Sequence, residues 1–187
     1  MDIRKDFPIL LQENRGKPLV YLDSAATSLT PSIVSESEIK YYNEFGGSVH
    51  RSVYELGEKA TNAYENSRKN LAKFIGAKTS EIIFTKSATE SINLVAQTFY
   101  DKYMSAGDEI ILSLMEHHSN LIPWYFLRDK YGVVIKFANI TESGEIDVNH
   151  FESLITPKTK IAALTHLSNV YGSKTVSYTH LTLPTKA

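Results

Sequence analysis

From Glu55 to Ile75 the apolar and small residues Leu56, Ala60, Ala63, Tyr64, Leu71, Phe74 and Ile75 return mostly at three- and four-residue steps, with charge between them. That spacing predicts one long amphipathic helix, stopped by Gly76. Before it, PLVYLD reads as a short extended piece. A helix is predicted over 31–42, with Thr30 placed to cap it, Pro31 suited to its first turn and Gly46-Gly47 ending it. After Gly76 the pattern alternates. EIIFT, DEIILS, GVVIKFANI and KIAALTH read as strands, and SATESINLVAQTFYDKY, SNLIPWYFLRDKY and VNHFESLI read as the helices between them.

The strands are β-branched runs with little period-two polarity, as in a sheet covered on both faces. The fold class is therefore α/β. The expected organisation is an N-terminal segment (1–20), an α/β domain (21–175) and a tail (176–187). The tail, VSYTHLTLPTKA, continues neither helix nor strand and reads like the translation of a sequencing adapter. It is expected to be non-native, the alternative being a genuine polar tail.

Composition narrows the chemistry. The 187 residues are 42% hydrophobic, enough for a sizeable core. Twenty basic against 21 acidic residues give a net charge of −1, so no excess of positive charge draws in nucleic acid or anionic lipid, and neither is expected as a partner. With no cysteine, disulfides, thiolate metal sites and a thiol nucleophile are excluded within these residues. No run of about 18 apolar residues suggests a membrane span, and the first residues are too quickly interrupted by charge for a signal peptide. A cytoplasmic location is expected.

Three strand-end loops carry ligand-type groups. In TKSATESINL, Ser87 and Glu90 have capping-box spacing, which puts Ala88 and Thr89 at a helix start with free N–H donors and the positive end of a dipole. A phosphate could dock there, although Ser87 could equally serve only as a cap. In LMEHHSN, His117 and His118 are adjacent on an extended segment and point to opposite sides, so one of them faces the crevice. Without a third ligand at readable spacing no metal site is expected. An imidazole there can stack on an aromatic ligand and move protons near neutral pH. In THLSNVYG, Asn169 offers an amide. An anion nest, an imidazole and an amide converging on one sheet edge are the ingredients of an active site.

Along 7–172 the chain resembles the class V aminotransferase group of pyridoxal-phosphate enzymes, and most closely the cysteine desulfurases of the SUF iron–sulfur system. The stretches that carry the likeness are FPIL, LVYLDSAATS, SVHRSVYELGEKAT, EIIFTKSATESINLVA, GDEIILSLMEHHSNLIPW and THLSNVYG. The resemblance implies the large domain of a fold type I transferase, truncated, with a mixed, mostly parallel sheet and helices on both faces. It implies that Ala88 and Thr89 bind the cofactor phosphate, that His117 stacks on the pyridine ring and assists proton transfer, and that Asn169 reaches the ring's phenolic oxygen. It places Ala25, Ala26 and His50 at the substrate end, with Arg51 near it and near a dimer partner.

The implied reaction takes sulfur from L-cysteine, leaving alanine and an enzyme persulfide that a sulfur-acceptor protein unloads for iron–sulfur cluster assembly. Ser24 and Tyr54 stand where family members commonly carry asparagine and histidine. The family's Schiff-base lysine, the aspartate that pairs with the pyridine nitrogen, the mobile cysteine and the carboxylate-binding arginine all fall beyond this chain. The resemblance thus implies an N-terminal fragment, inactive alone, of a homodimeric enzyme. The competing readings are another class V enzyme, such as a selenocysteine lyase or an epimerase-like relative, and a non-catalytic phosphate-binding α/β module.

Overall fold

The computed structural model describes residues 3–175, which form two compact units, the first ending at Phe84 and the second beginning at Thr85. The tail at 176–187 lies outside the described residues.

In the first unit, β1 (Glu13–Asn14) and β2 (Lys17–Pro18) make a minimal antiparallel hairpin. Its two-residue turn puts Arg15 at φ 54 and Gly16 at φ 72, the left-handed pair that matches strand twist. Helix α1 (Ser32–Lys40) follows. Pro31, not Thr30, occupies the cap position: its φ of −71 would suit a helix but its ψ of 152 is extended, so the helix begins one residue later than expected, and proline has no side-chain acceptor to cap it. A π-turn over Tyr41–Phe45 extends α1 to Gly46. Helix α2 (Glu55–Ile75) has the predicted bounds. Gly76, at φ 71, ends it, with the Ala77 N–H on the Ala72 carbonyl at 2.9 Å and the Gly76 N–H on that of Lys73 at 3.4 Å, a Schellman closure.

The second unit is the alternating one: α3 (Ala88–Tyr103), β3 (Glu109–Ser113), α4 (Ile122–Tyr131), β4 (Val134–Ala138), α5 (Val148–Leu154) and β5 (Thr159–Ala163). The three strands are parallel in the order β4-β3-β5. Every residue of central β3 is buried. Its side chains alternate between two cores: Ile110 and Leu112 join Ala96 of α3 and Trp124 and Leu127 of α4, while Ile111 joins Ala138, Met115 and Phe151 of α5. Helices therefore cover both faces, and each fully buried aliphatic side chain contributes about 1.5–3 kcal/mol. No described helix is long and apolar enough to cross a membrane.

The stretch EIIFT is not a strand among the described residues. Residues Thr79–Glu81 make a 3-10 turn, and Ile82 is extended (φ −94, ψ 121) without a ladder partner. Extended propensity alone does not make a strand, because the ladder hydrogen bonds must come from a neighbour.

At the N-terminal end of β3 one carboxylate ties the sheet together. Glu109 Oε2 accepts from Lys136 Nζ of β4 at 2.8 Å, from the Thr156 hydroxyl at 2.6 Å and from the Thr159 hydroxyl of β5 at 3.1 Å. The hydrogen bond from Lys136, then that from Thr156, holds this carboxyl below the usual glutamate range. A carboxyl whose folded pKa lies below its unfolded one contributes stability that is complete above the unfolded value and is lost as pH falls through the folded value. Glu109→Gln is therefore expected to lower the urea midpoint at pH 7. The gap to the wild type should narrow as the pH drops below the ordinary glutamate value of about 4.3 and through the lower folded one. A gap independent of pH would show that the carboxylate's charge contributes nothing.

Candidate functional site

The start of α3 is built by its own sequence. Ser87, extended at φ −166 and ψ 165, accepts the Glu90 N–H on its hydroxyl at 3.2 Å. The Glu90 carboxylate folds back to the Lys86 N–H at 2.5 Å, one residue earlier than a simple capping box requires. Ser91 Oγ sits 2.6 Å from the Thr85 hydroxyl, fastening the incoming chain to the helix. Among the described residues no acceptor takes the N–H of Ala88 or of Thr89. Both residues are exposed, so the helix opens with two outward donors at its positive end.

His117 follows the β3 end and opens the turn His118–Asn120. Its Nδ1 accepts the Ser119 N–H at 3.1 Å and lies 2.9 Å from the Ser119 hydroxyl. An Nδ1 that accepts a backbone N–H carries no proton, so the neutral ring is the Nε2–H tautomer, and among the described residues nothing engages Nε2. The His118 ring is 6.2 Å away at 61°, and the described residues hold no group of three His, Cys, Asp or Glu side chains able to bind a metal.

The residue that fixes this loop is Glu116, which the sequence does not single out. Glu116 is 9% exposed and accepts three donors from three places: the Ser113 hydroxyl at the end of β3, Asn120 Nδ2 at 2.8 Å and the Thr165 N–H just beyond β5 at 2.8 Å. Asn120 Nδ2 also reaches the Ala163 carbonyl at 3.0 Å, and its Oδ1 accepts from Trp124 Nε1 at 3.0 Å. The chain Glu116–Asn120–Trp124 thus joins the His117 loop to β5 and to the core under α4. The only signal in the sequence was a glutamate ending an apolar run, with an asparagine and a tryptophan at two further four-residue steps.

Over this network lies a cleft of about 520 Å³, walled by Ile92 and Val95 of α3, His117, Asn120, Leu164 and Thr165. His117 therefore shares a cleft with the helix whose first residues are Ala88 and Thr89, less than a turn before Ser91. Asn169 does not line it. Asn169 is exposed in a turn beyond Thr165, where buried Ser168 accepts the N–H groups of Val170 at 3.3 Å and Tyr171 at 3.1 Å. Tyr171 packs on Gly144, where a Cβ would meet its ring at 2.7 Å.

The remaining predicted residues belong to the first unit. Ala25 and Ala26 are exposed in a turn closed by the Ala26 and Thr27 N–H groups on the Asp23 carbonyl, both at 3.1 Å. His50 is held at φ 60 beside α2. Arg51 follows it, exposed.

A model of the class-V aminotransferase family matches residues 20–180. The chain belongs to that family. Among curated relatives, a probable cysteine desulfurase of Synechocystis is 48% identical over 171 residues, covering 91% of this chain and 41% of the relative. One of Staphylococcus aureus is 46% identical over 172 residues, covering 91% and 42%. Among solved structures, an apo cysteine desulfurase from Thermococcus onnurineus superposes with a TM-score of 0.85 at 40% identity, covering 94% of this chain and 42% of that one. The α/β fold described above is the one these enzymes share, and the chain spans about two-fifths of their length.

Proposed function

We propose that this family member is the N-terminal portion of a pyridoxal-phosphate-dependent cysteine desulfurase. The observation that carries the reading is the cleft that sets His117 beside the helix opened by the unpaired N–H groups of Ala88 and Thr89. In this reading those two N–H groups and the helix dipole hold the cofactor's phosphate. The His117 ring, fixed by Ser119, would stack against the cofactor ring and hold a proton at Nε2. Asn169, in an exposed turn outside this cleft, would have to extend toward it to meet the phenolic oxygen. Ala25, Ala26 and His50 line the substrate end, with Arg51 beside it and beside a second subunit. Two donors at a helix start suit a phosphate, and a cleft of about 520 Å³ is of small-molecule size. When bound, pyridoxal phosphate supplies an electron sink for bonds at the substrate's α-carbon.

The whole enzyme would take sulfur from L-cysteine and pass it to an acceptor protein for iron–sulfur cluster assembly, as a cytoplasmic homodimer. The lysine and cysteine for that chemistry would come from the part of the relatives' length that this chain does not span. The 187 residues alone should not turn over cysteine.

Ala88→Pro tests the phosphate end. Proline is at home in a helix's first turn, and Ser87 already has the extended backbone that a following proline demands. The change deletes one N–H and little else. Pyridoxal phosphate is expected to bind the full chain with a saturable absorbance change that inorganic phosphate competes away. Its affinity should fall about tenfold or more in Ala88→Pro, the loss of one hydrogen bond to a charged group. Equal affinity in the two proteins would overturn the assignment.

A further inference from the structure

His50 is one of two non-glycine residues with positive φ among those described. The other, Arg15, is explained by its hairpin turn. A left-handed backbone at a residue with a Cβ persists only where its surroundings hold it. One face of α2 does the holding. Thr61 Oγ1 accepts the His50 N–H at 3.0 Å while its own hydroxyl donates to the Gly57 carbonyl at 2.7 Å. One turn on, Glu65 Oε1 lies 3.0 Å from His50 Nε2, and the Tyr64 ring meets the imidazole edge-on at 6.0 Å. A further turn on, Arg68 Nε pairs with Glu65 Oε2 at 3.3 Å. The Arg68 guanidinium lies 5.0 Å from the Tyr64 ring and 4.9 Å from the Phe84 ring, which meet each other edge to face, and it donates to the Ile82 carbonyl. Thr61, Tyr64, Glu65 and Arg68 follow the spacing of a single helix face.

An ionised carboxylate only accepts, so the proton between the pair sits on Nε2 and the neutral ring keeps Nδ1 as its acceptor. Among the described residues nothing hydrogen-bonds Nδ1, and half of the side chain is open to solvent. Burial pushes the Glu65 carboxyl up. The hydrogen bonds from His50 and Arg68 more than offset this and leave it below the usual range, so it is ionised at neutral pH.

We infer that Glu65 is a positioning residue: clamped by Arg68, it holds the His50 imidazole as the Nε2–H tautomer and presents Nδ1 as the atom offered to the substrate's polar end. The second half of that statement rests on the proposed place of His50 at the substrate end of a cysteine desulfurase. The first half stands on the geometry alone.

The test is long-range proton–nitrogen NMR of the histidine rings in the full 187-residue chain, with His50 assigned by His50→Gln. The wild type is expected to show Nε2–H at His50. Glu65→Leu should give a mixture of tautomers, and Glu65→Gln, whose amide oxygen still accepts, should largely restore Nε2–H. An Nδ1–H ring in the wild type overturns the inference without recourse to any variant, as does a tautomer unchanged in Glu65→Leu. L-cysteine added to the wild type should then shift the His50 ring resonances, with half-saturation about tenfold higher in Glu65→Leu, the usual scale for losing an orienting partner. If the tautomer results hold and cysteine moves nothing at His50, the substrate-end half is overturned and the positioning half stands.

Discussion

Glu116→Ala is expected to destabilise the chain by about 3 kcal/mol and to loosen the loop that carries His117. The carboxylate is an acceptor with no donor, and three donors converge on it from β3, the His118–Asn120 turn and the strand end at Thr165. Removing it leaves the buried Ser113 hydroxyl and the half-buried Thr165 N–H without that acceptor, and Asn120 Nδ2 with only the Ala163 carbonyl, each lost partner costing about 1–3 kcal/mol less whatever water recovers. Glutamine, the closest replacement in shape, should rescue little. Its oxygen can face Ser113 and Thr165, but its amino group must then face Asn120 Nδ2. Asn120 cannot turn over to help, because its Oδ1 already receives Trp124 Nε1. Urea unfolding checks the stability, and amide exchange at Ser119 and Asn120 checks the loop, where faster exchange is expected in both variants. A glutamine variant as stable as the wild type would mean that the network is not charge-specific. Because the His117 ring takes its orientation from Ser119 in this same turn, pyridoxal phosphate affinity should fall with loop order.

That network also shows where sequence reading stops. The bounds of α2 and α3 were legible because their punctuation is local: Gly76 closes one helix with two bonds inside six residues, and Ser87 caps the other from the position just before its first turn. The strands of the second unit were legible because β3 is apolar on both faces and each face meets a helix. The loops bearing His117 and Asn169 could be placed for the same reason, since they follow strands. Glu116 was not legible, because its partner Thr165 lies 49 residues away, and neither was Glu65, whose histidine lies 15 residues before it. Periodicity reports which face of an element is apolar, not which polar side chain a distant loop will meet. It also misleads where an apolar face is not covered. Leu56, Leu71, Phe74 and Ile75 recur as a core stripe should, yet Phe74 is 87% exposed. EIIFT (81–85) failed as a strand for a related reason: Glu81 closes a 3-10 turn, and for the rest a ladder needs a neighbour and the described residues supply none.

Gly57→Ala is expected to destabilise the first unit by about 2 kcal/mol, against the helix propensity that would favour alanine by up to about 1 kcal/mol. A Cβ at Gly57 would lie 2.1 Å from Ser52 Cβ and 2.7 Å from its Oγ, an overlap that no rotamer relieves because Cβ does not rotate. Helix and loop must therefore separate. The loop has little slack, since at its beginning Gly47 is pressed on the same helix start, where a Cβ would meet the backbone of Leu56 and Gly57 at 2.8 Å. The residues between Gly47 and Gly57 include His50 and Arg51, and the Gly57 carbonyl anchors the Thr61 hydroxyl that in turn holds the His50 N–H. The substitution should thus shift the His50 ring resonances as well as the urea midpoint. Adding Ser52→Gly removes both of the closest contacts and leaves only Ser52 Cα at 3.3 Å. The double variant should regain most of the stability and return His50 toward its wild-type environment. If Ser52→Gly restores neither, the cost of Gly57→Ala lies elsewhere than in the close approach of α2 to this loop, and the helix is not what holds His50 in its left-handed conformation.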